Sequence, residues 1–489
     1  MKHKVVTHGA FLIRSLTAAS VIAAAAVALP ATAQEQPGAS EEELMSEPGV
    51  EAPLVPTRPV PGSDTLVDAL VAAYNTNPTI LAERARLRAT DENVAQAVSG
   101  WRPTISAQAR YGSETTRRAA GLGQLFGTQN TTNPKTGSMV LSQPIFQGFR
   151  TLNQTRQAKA EVRAGRELLL STEQQILLDA ATAYIDVVQN QAVLELTQNN
   201  VRVLQRELEA AQDRFEVGEI TRTDVAQAEA RLSGAKSNLT AAEAELTSSR
   251  EIYRRVVGHM PGTLSVPEML PQLPPTEEEA AAVALANNPE LMGAIEAEQA
   301  SQYAVKVAKG ALLPSVEFEA SADHAEDQSI MGDQTSGYSF VGQIVVPIYQ
   351  AGAEYSRIRQ VKELNNADRM RIAEVRRLVV ENVAVAWERL RASRDVIKSS
   401  REQVRANEIA FEGVQQEAQV GSRTTLDVLN AEQELLDSRV VLVRARRDEF
   451  VATYALLAAI GRMTAANLAL PVDTYDPTRN YKRVKYKPF

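Results

Sequence analysis

The sequence predicts an α+β fold in which one plan is written twice: a helix, a β-hairpin, then a long helical hairpin. Three observations carry that prediction. Landmarks recur at a fixed spacing, short runs alternate polar and apolar residues, and long stretches repeat apolar residues in a heptad rhythm. Asn77-Pro78 and Asn288-Pro289 lie 211 residues apart, as do Pro103 and Pro314. From Pro144-Ile145-Phe146 and Pro347-Ile348-Tyr349 onward the offset is 203. It holds for Ala183-Tyr184 with Ala386-Trp387, Val217-Gly218 with Val420-Gly421, Asp224-Val225 with Asp427-Val428, and Gly258 with Gly461. The change of offset puts eight extra residues between Pro103 and Pro144, in a loop of the first copy.

Taken in order, residues 1–33 read as a signal peptide. Lys2, Lys4 and Arg14 precede an apolar run at 16–29, and Ala31-Thr32-Ala33 has the small-residue pattern of a cleavage site. The run is too short to span a bilayer, which needs about 20 residues. Losing this leader, with three basic residues and no acid, takes the net charge from −8 to −11. So acidic a chain lacks the basic face that nucleic acid requires. It contains no cysteine, so neither a disulfide nor a lipid-anchored cysteine is available. Residues 34–63 are an acidic, Pro-rich lead-in.

The first repeat covers 64–262 and the second 276–462, with a Pro-rich linker at 263–275 and a basic, aromatic tail at 463–489. Each repeat opens on a helix, expected over 64–99 and 276–310. Hairpins follow at 103–146 and 314–348. Ile105, Ala107, Ala109 and Tyr111 share one strand face, as do Val316, Phe318, Ala320 and Ala322. This alternation fits a soluble periplasmic sheet or a membrane sheet. In lipid, four strands cannot close a barrel and open edges do not survive, so several chains must pool theirs; three chains supply twelve strands.

The long helical hairpins are expected over 149–258 and 353–461, each descending helix running for about 100 Å. Leu194, Thr197, Val201, Leu204, Leu208, Ala211 and Phe215 form a heptad seam. It is answered by Val225, Ala228, Leu232, Ala235, Leu239, Ala242 and Leu246 on the returning helix. The second copy keeps the register. The turns between, 217–224 and 420–427, have a local explanation. Gly218 and Gly421 suit a left-handed helix stop. Thr221 and Thr424 suit N-caps, with Asp224 and Asp427 at N3 as capping-box acids.

The duplicated V-G-x-x-T-x-x-D-V turn, the Pro-Ile-aromatic strand exits and the paired Asn-Pro resemble the TolC family of trimeric outer-membrane efflux channels, over about residues 64–470. The resemblance implies an α+β membrane protein. Four strands per chain enter a trimeric 12-stranded outer-membrane β-barrel, continued by a long antiparallel coiled-coil α-helical barrel through the periplasm. It implies an exit duct for an efflux pump or type I secretion system, working with a periplasmic adaptor and an inner-membrane transporter. Asp427 matches a pore acid at the closed tip, and Asn430 replaces a second one. Arg423 matches a lock to Thr223 and Asp224, and Ala418 stands where the family often has a tyrosine. Val217, Gly218, Val420, Gly421 and Thr424 fall on the turns expected to meet the adaptor.

Other classes find less support. The mature chain keeps two histidines, His259 and His324, in unrelated positions, with no metal-ligand spacing or phosphate loop. An enzyme or a cofactor is therefore not expected. A periplasmic coiled-coil scaffold without a pore explains the helices but leaves the hairpins unused.

Overall fold

The computed structural model describes residues 63–118, 128–267, 271–328 and 332–487. The expected signal peptide, and all of the lead-in but Ser63, lie outside the described residues. The chain divides into two compact units. One, of strands, takes in 100–148 and 313–348; the other is mainly helical.

The strand unit contains β2 (Thr104–Tyr111), β3 (Glu114–Arg118), β4 (Thr128–Thr132), β5 (Lys135–Gln147), β7 (Ser315–Glu326) and β8 (Gln334–Val345). The four long strands form one antiparallel sheet in the order β2-β5-β7-β8. The two predicted hairpins are thus joined through β5 and β7. Their pairing shifts register between Pro144 and Phe146, where proline has no N–H for the ladder. Register aligns Ile105, Leu141, Ala320 and Phe340 in one row, and Ala107, Met139, Ala322 and Tyr338 in the next. The opposite face carries Gln108, Ser138 and Asp323 in one row. The sheet therefore has one largely apolar face, on which Tyr338 and Phe340 are 81% and 69% exposed in the single chain. The small β3–β4 hairpin was not expected. It lies where the first copy is eight residues longer, in a Thr-rich stretch that lacks apolar alternation.

In the helical unit, each opening helix is two helices rather than one. α1 (Leu66–Thr76) and α2 (Pro78–Ser99) are separated at Asn77, and α5 (Glu277–Asn287) and α6 (Pro289–Gly310) at Asn288. The reason is the following proline, which pushes the residue before it out of the helical region. Asn77 and Asn288 are extended, with ψ of 121° at both, and each proline takes the first position of the next helix.

Both asparagines do the same double work. The Oδ1 of Asn77 accepts from the N–H of Thr79 at 2.9 Å, and its Nδ2 donates to the Val256 carbonyl at 2.9 Å. Asn288 caps Glu290 at 3.0 Å and donates to the Ala459 carbonyl at 3.2 Å. Each therefore ties an N-terminal helix break to the end of a returning helix, where Gly258 and Gly461 stand with φ of 102° and 79°. This contact is what pairs the repeated Asn-Pro with the repeated glycine.

The helical hairpins are α3 (Arg150–Glu216) with α4 (Arg222–Val257), and α7 (Ala353–Gln419) with α8 (Thr425–Ala459). α3 and α7 are both 67 residues long. The main core gathers Tyr184, Leu177, Tyr253, Val379, Leu456 and Ile460, all essentially fully buried. The linker is not free of structure: Thr263–Leu264 (β6) pairs in parallel with Ser63–Asp64 (β1). The tail folds as well. Its helix α9 (Arg479–Val484) sets Asn480 on buried Asp91 at 2.9 Å and Tyr481 beside Val94 and Val162.

Candidate functional site

The two tip turns have nearly the same geometry. After α3, Gly218 has φ 78°; its N–H donates to Phe215 at 2.9 Å and that of Glu219 to Arg214 at 2.8 Å. After α7, Gly421 has φ 80°, with Gly421 bonded to Ala418 at 3.1 Å and Ser422 to Glu417 at 2.9 Å. Both are Schellman stops with glycine at the left-handed position. Three residues on, Thr221 and Thr424 form complete capping boxes with Asp224 and Asp427.

In each box the cap uses one carboxylate oxygen. The Thr221 N–H and hydroxyl donate to Oδ2 of Asp224 at 2.9 and 2.7 Å, and those of Thr424 to Oδ2 of Asp427 at 3.0 and 2.8 Å. Among the described residues, Oδ1 of both acids takes no hydrogen bond. The Thr221 hydroxyl and N–H hold Asp224 below the usual carboxylate range, and the Thr424 N–H and hydroxyl do so for Asp427. Both acids are therefore anions at neutral pH, each with a free oxygen at a helix tip.

Beside the caps, Arg423 donates from Nε to Glu417 at 2.9 Å within its own turn. Among the described residues it makes no hydrogen bond to Thr223 or Asp224. The first turn has a counterpart pair, Arg214 with Glu219 at 3.2 Å. Asn430 is engaged rather than free: its Oδ1 accepts from Arg231 of α4 at 2.8 Å, joining the two hairpins just behind the tips. Val217 and Val420 at the crests are 78% and 81% exposed.

The predicted seam of the first hairpin is present. Leu204, Leu208 and Ala211 pack on Ala228, Leu232 and Ala235, although Phe215 at its end is exposed. Leu429 of α8 inserts into this cluster and is 2% exposed, so the second hairpin plugs the seam of the first. One turn further along α8, Glu432 is buried against α3. Sequence reasoning missed Arg231, Glu417, Leu429 and Glu432. The available signal was a second 3-4-3 stripe on α8, Leu429, Glu432, Leu436 and Arg439, offset from the heptad seam that faces α7.

Residues 69–259 and 281–462 match the sequence model of the outer membrane efflux protein family. The two matched segments follow the two repeats. The chain is 39% identical to outer membrane efflux protein BepC of Brucella suis biovar 1, over 87% of this chain and 92% of that one. It is 26% identical to outer membrane protein TolC of Vibrio cholerae serotype O1, over 82% and 92%. Its fold is similar to that of the Campylobacter jejuni CmeC outer membrane channel, with a TM-score of 0.73 at 14% identity, covering 86% of this chain and 89% of that one.

Proposed function

The chain belongs to the outer membrane efflux protein family, and from that premise we propose that three copies assemble into one export duct. The observation that carries this is the four-stranded sheet with an exposed apolar face and two outer strands, β2 and β8, each paired on one side only among the described residues. An open edge is unstable in lipid. Three such sheets joined β8 to β2 close a ring of twelve, with the Phe340 row toward lipid. A pore-free periplasmic scaffold has no use for that face.

The helical hairpins continue the duct through the periplasm. The crests Val217, Gly218, Val420 and Gly421, with Thr424, meet a periplasmic adaptor protein that couples the duct to an inner-membrane transporter. Their exposed apolar side chains and repeated geometry support this. Three copies of Asp427, each with a free Oδ1, form an acidic ring that favours cations. Asn430 adds no charge there, since it is neutral and held by Arg231. In the closed tip, Arg423 exchanges Glu417 for Thr223 and the free oxygen of Asp224. The duct has no reaction to catalyse; the transporter chooses the cargo.

Outer-membrane fractions should contain a heat-modifiable, detergent-resistant trimer, and Arg423→Ala should raise its single-channel conductance. Release of the chain with the soluble periplasm would sink the duct reading. An unchanged conductance in Arg423→Ala would sink the lock.

A further inference from the structure

Glu432 is an acid buried in the contact between the two hairpins. It is 8% exposed, and among the described residues its Oε2 has no hydrogen-bond partner and is shielded from solvent. It lines a cavity of about 670 Å³ between α3 on one side and α7 and α8 on the other. Leu429, three residues before it on the same helix face, is the plug in the seam of the first hairpin. An acid has therefore been placed where packing of the two hairpins asks for an apolar residue. An unpaired buried carboxylate is costly when ionised and far less so when protonated.

The surrounding charges relieve it only in part. From α3 the cavity receives Glu207 and Arg206, and Arg206 turns its Nε to the Arg202 carbonyl at 3.4 Å. From α7 it receives Glu408 and Glu412, and from α8 Arg439, which is committed to Glu408 at 2.8 Å. α4 contributes Arg231 at the Asn430 contact, outside the cavity. Among the described residues no group of three or more acids or histidines is arranged to hold a metal ion.

We propose that Glu432 is a proton-controlled wedge between the hairpins. Protonated, it lies in the seam and the hairpins stay packed. Ionised, it releases its proton to water, draws water into the cavity and lets α8 move away from α3. Burial, reinforced by Glu207 and opposed by Arg206, pushes its carboxyl from the ordinary 4.5 up to about 7. A carboxyl raised in the packed state favours that state at low pH. Packing is at full strength below the ordinary value and weakens as pH rises through about 7. Such a gap biases the packed–separated equilibrium by on the order of a few hundredfold per protomer. The duct reading enters only in the consequence, that separated hairpins open the tip.

The absence of cysteine makes a clean distance measurement possible. Full-length trimers in detergent, with labelled chains diluted among unlabelled ones, would carry spin labels at Glu209→Cys and Glu434→Cys. Distances would be read by double electron–electron resonance at about pH 5.5 and about pH 8.5, either side of the titration. The expected result is a longer, broader distance at the higher pH, a short distance at both in Glu432→Gln, and an unaltered transition in Glu229→Gln, which changes an exposed acid on α4. A wild-type distance that ignores pH, or a transition that survives Glu432→Gln in a correctly trimeric protein, would overturn the wedge. A transition abolished by Glu432→Gln in a protein that passes no current in bilayers would keep the wedge and refute the duct.

Discussion

Replacing Gly421 by leucine should stop export while leaving the trimer in place. Gly421 has φ 80°, and a Cβ built there meets nothing within 4 Å. The only penalty is the left-handed backbone, about 1–2 kcal/mol for a residue with a side chain. It falls on an exposed turn at the end of a 67-residue helix, where local loosening need not reach the core. Gly461 is the control. It has nearly the same φ, 79°, but its Cβ would lie 2.6 Å from the Asn287 carbonyl oxygen and 2.8 Å from the carbonyl carbon. Backbone atoms at the Asn287–Asn288 break cannot swing aside as a side-chain tip can. Strain plus overlap there should cost on the order of 4–5 kcal/mol, in the range of severe core lesions. The assay is paired: trimer abundance and heat-dissociation temperature in outer membranes, and export of a pump substrate from whole cells. Gly421→Leu should keep trimers with lost export, whereas Gly461→Ala should lose the trimers themselves. If Gly421→Leu depleted trimers as Gly461→Ala does, the tip glycine would serve folding alone and its role in adaptor contact would be refuted.

Two further perturbations follow from the same geometry. Leu429→Ala removes a 2%-exposed side chain from the joint between hairpins and should cost about 2–4 kcal/mol of hairpin packing; limited trypsin digestion should then cut the tip faster, and an unchanged rate would deny the plug. Thr221→Ala and Thr424→Ala each remove a capping box worth about 1 kcal/mol, which should appear as faster amide exchange in the first turns of α4 and α8. The same caps have a pH dependence. Asp224 and Asp427 are held below their ordinary 3.8, so their contribution is present above that value and lost as pH falls through the lowered one. Protection of these two turns, corrected for intrinsic exchange, should decline in acid while the main core keeps its own.

Much of the fold could be read in advance because the physics responsible for it is local or periodic. The long descending helix ends at Glu216, directly before the turn that begins at Val217. Gly218 and Gly421 announced the stops, and Thr-x-x-Asp the restarts. What escaped was set by tertiary contact. Asn77-Pro78 was recognised as a repeated landmark, yet periodicity ran through it and a single helix was expected. The helix breaks because proline restricts Asn77, and the break is fixed because the Asn77 amide reaches Val256, 179 residues away in sequence. The heptad rule finds one seam per helix, whereas α8 has two neighbours, and Glu432 lies on the face toward the second. Arg423 feels two acids, Glu417 and Asp427; the one it holds in the single chain, Glu417, lies six residues before it and was not among those expected.

The most direct test is single-channel conductance of the purified full-length protein in planar lipid bilayers. Trimeric protein should give discrete current steps of uniform size, with a cation preference that falls in Asp427→Asn. A trimer-free preparation that never produces steps, or steps whose ion preference ignores Asp427, would contradict this expectation.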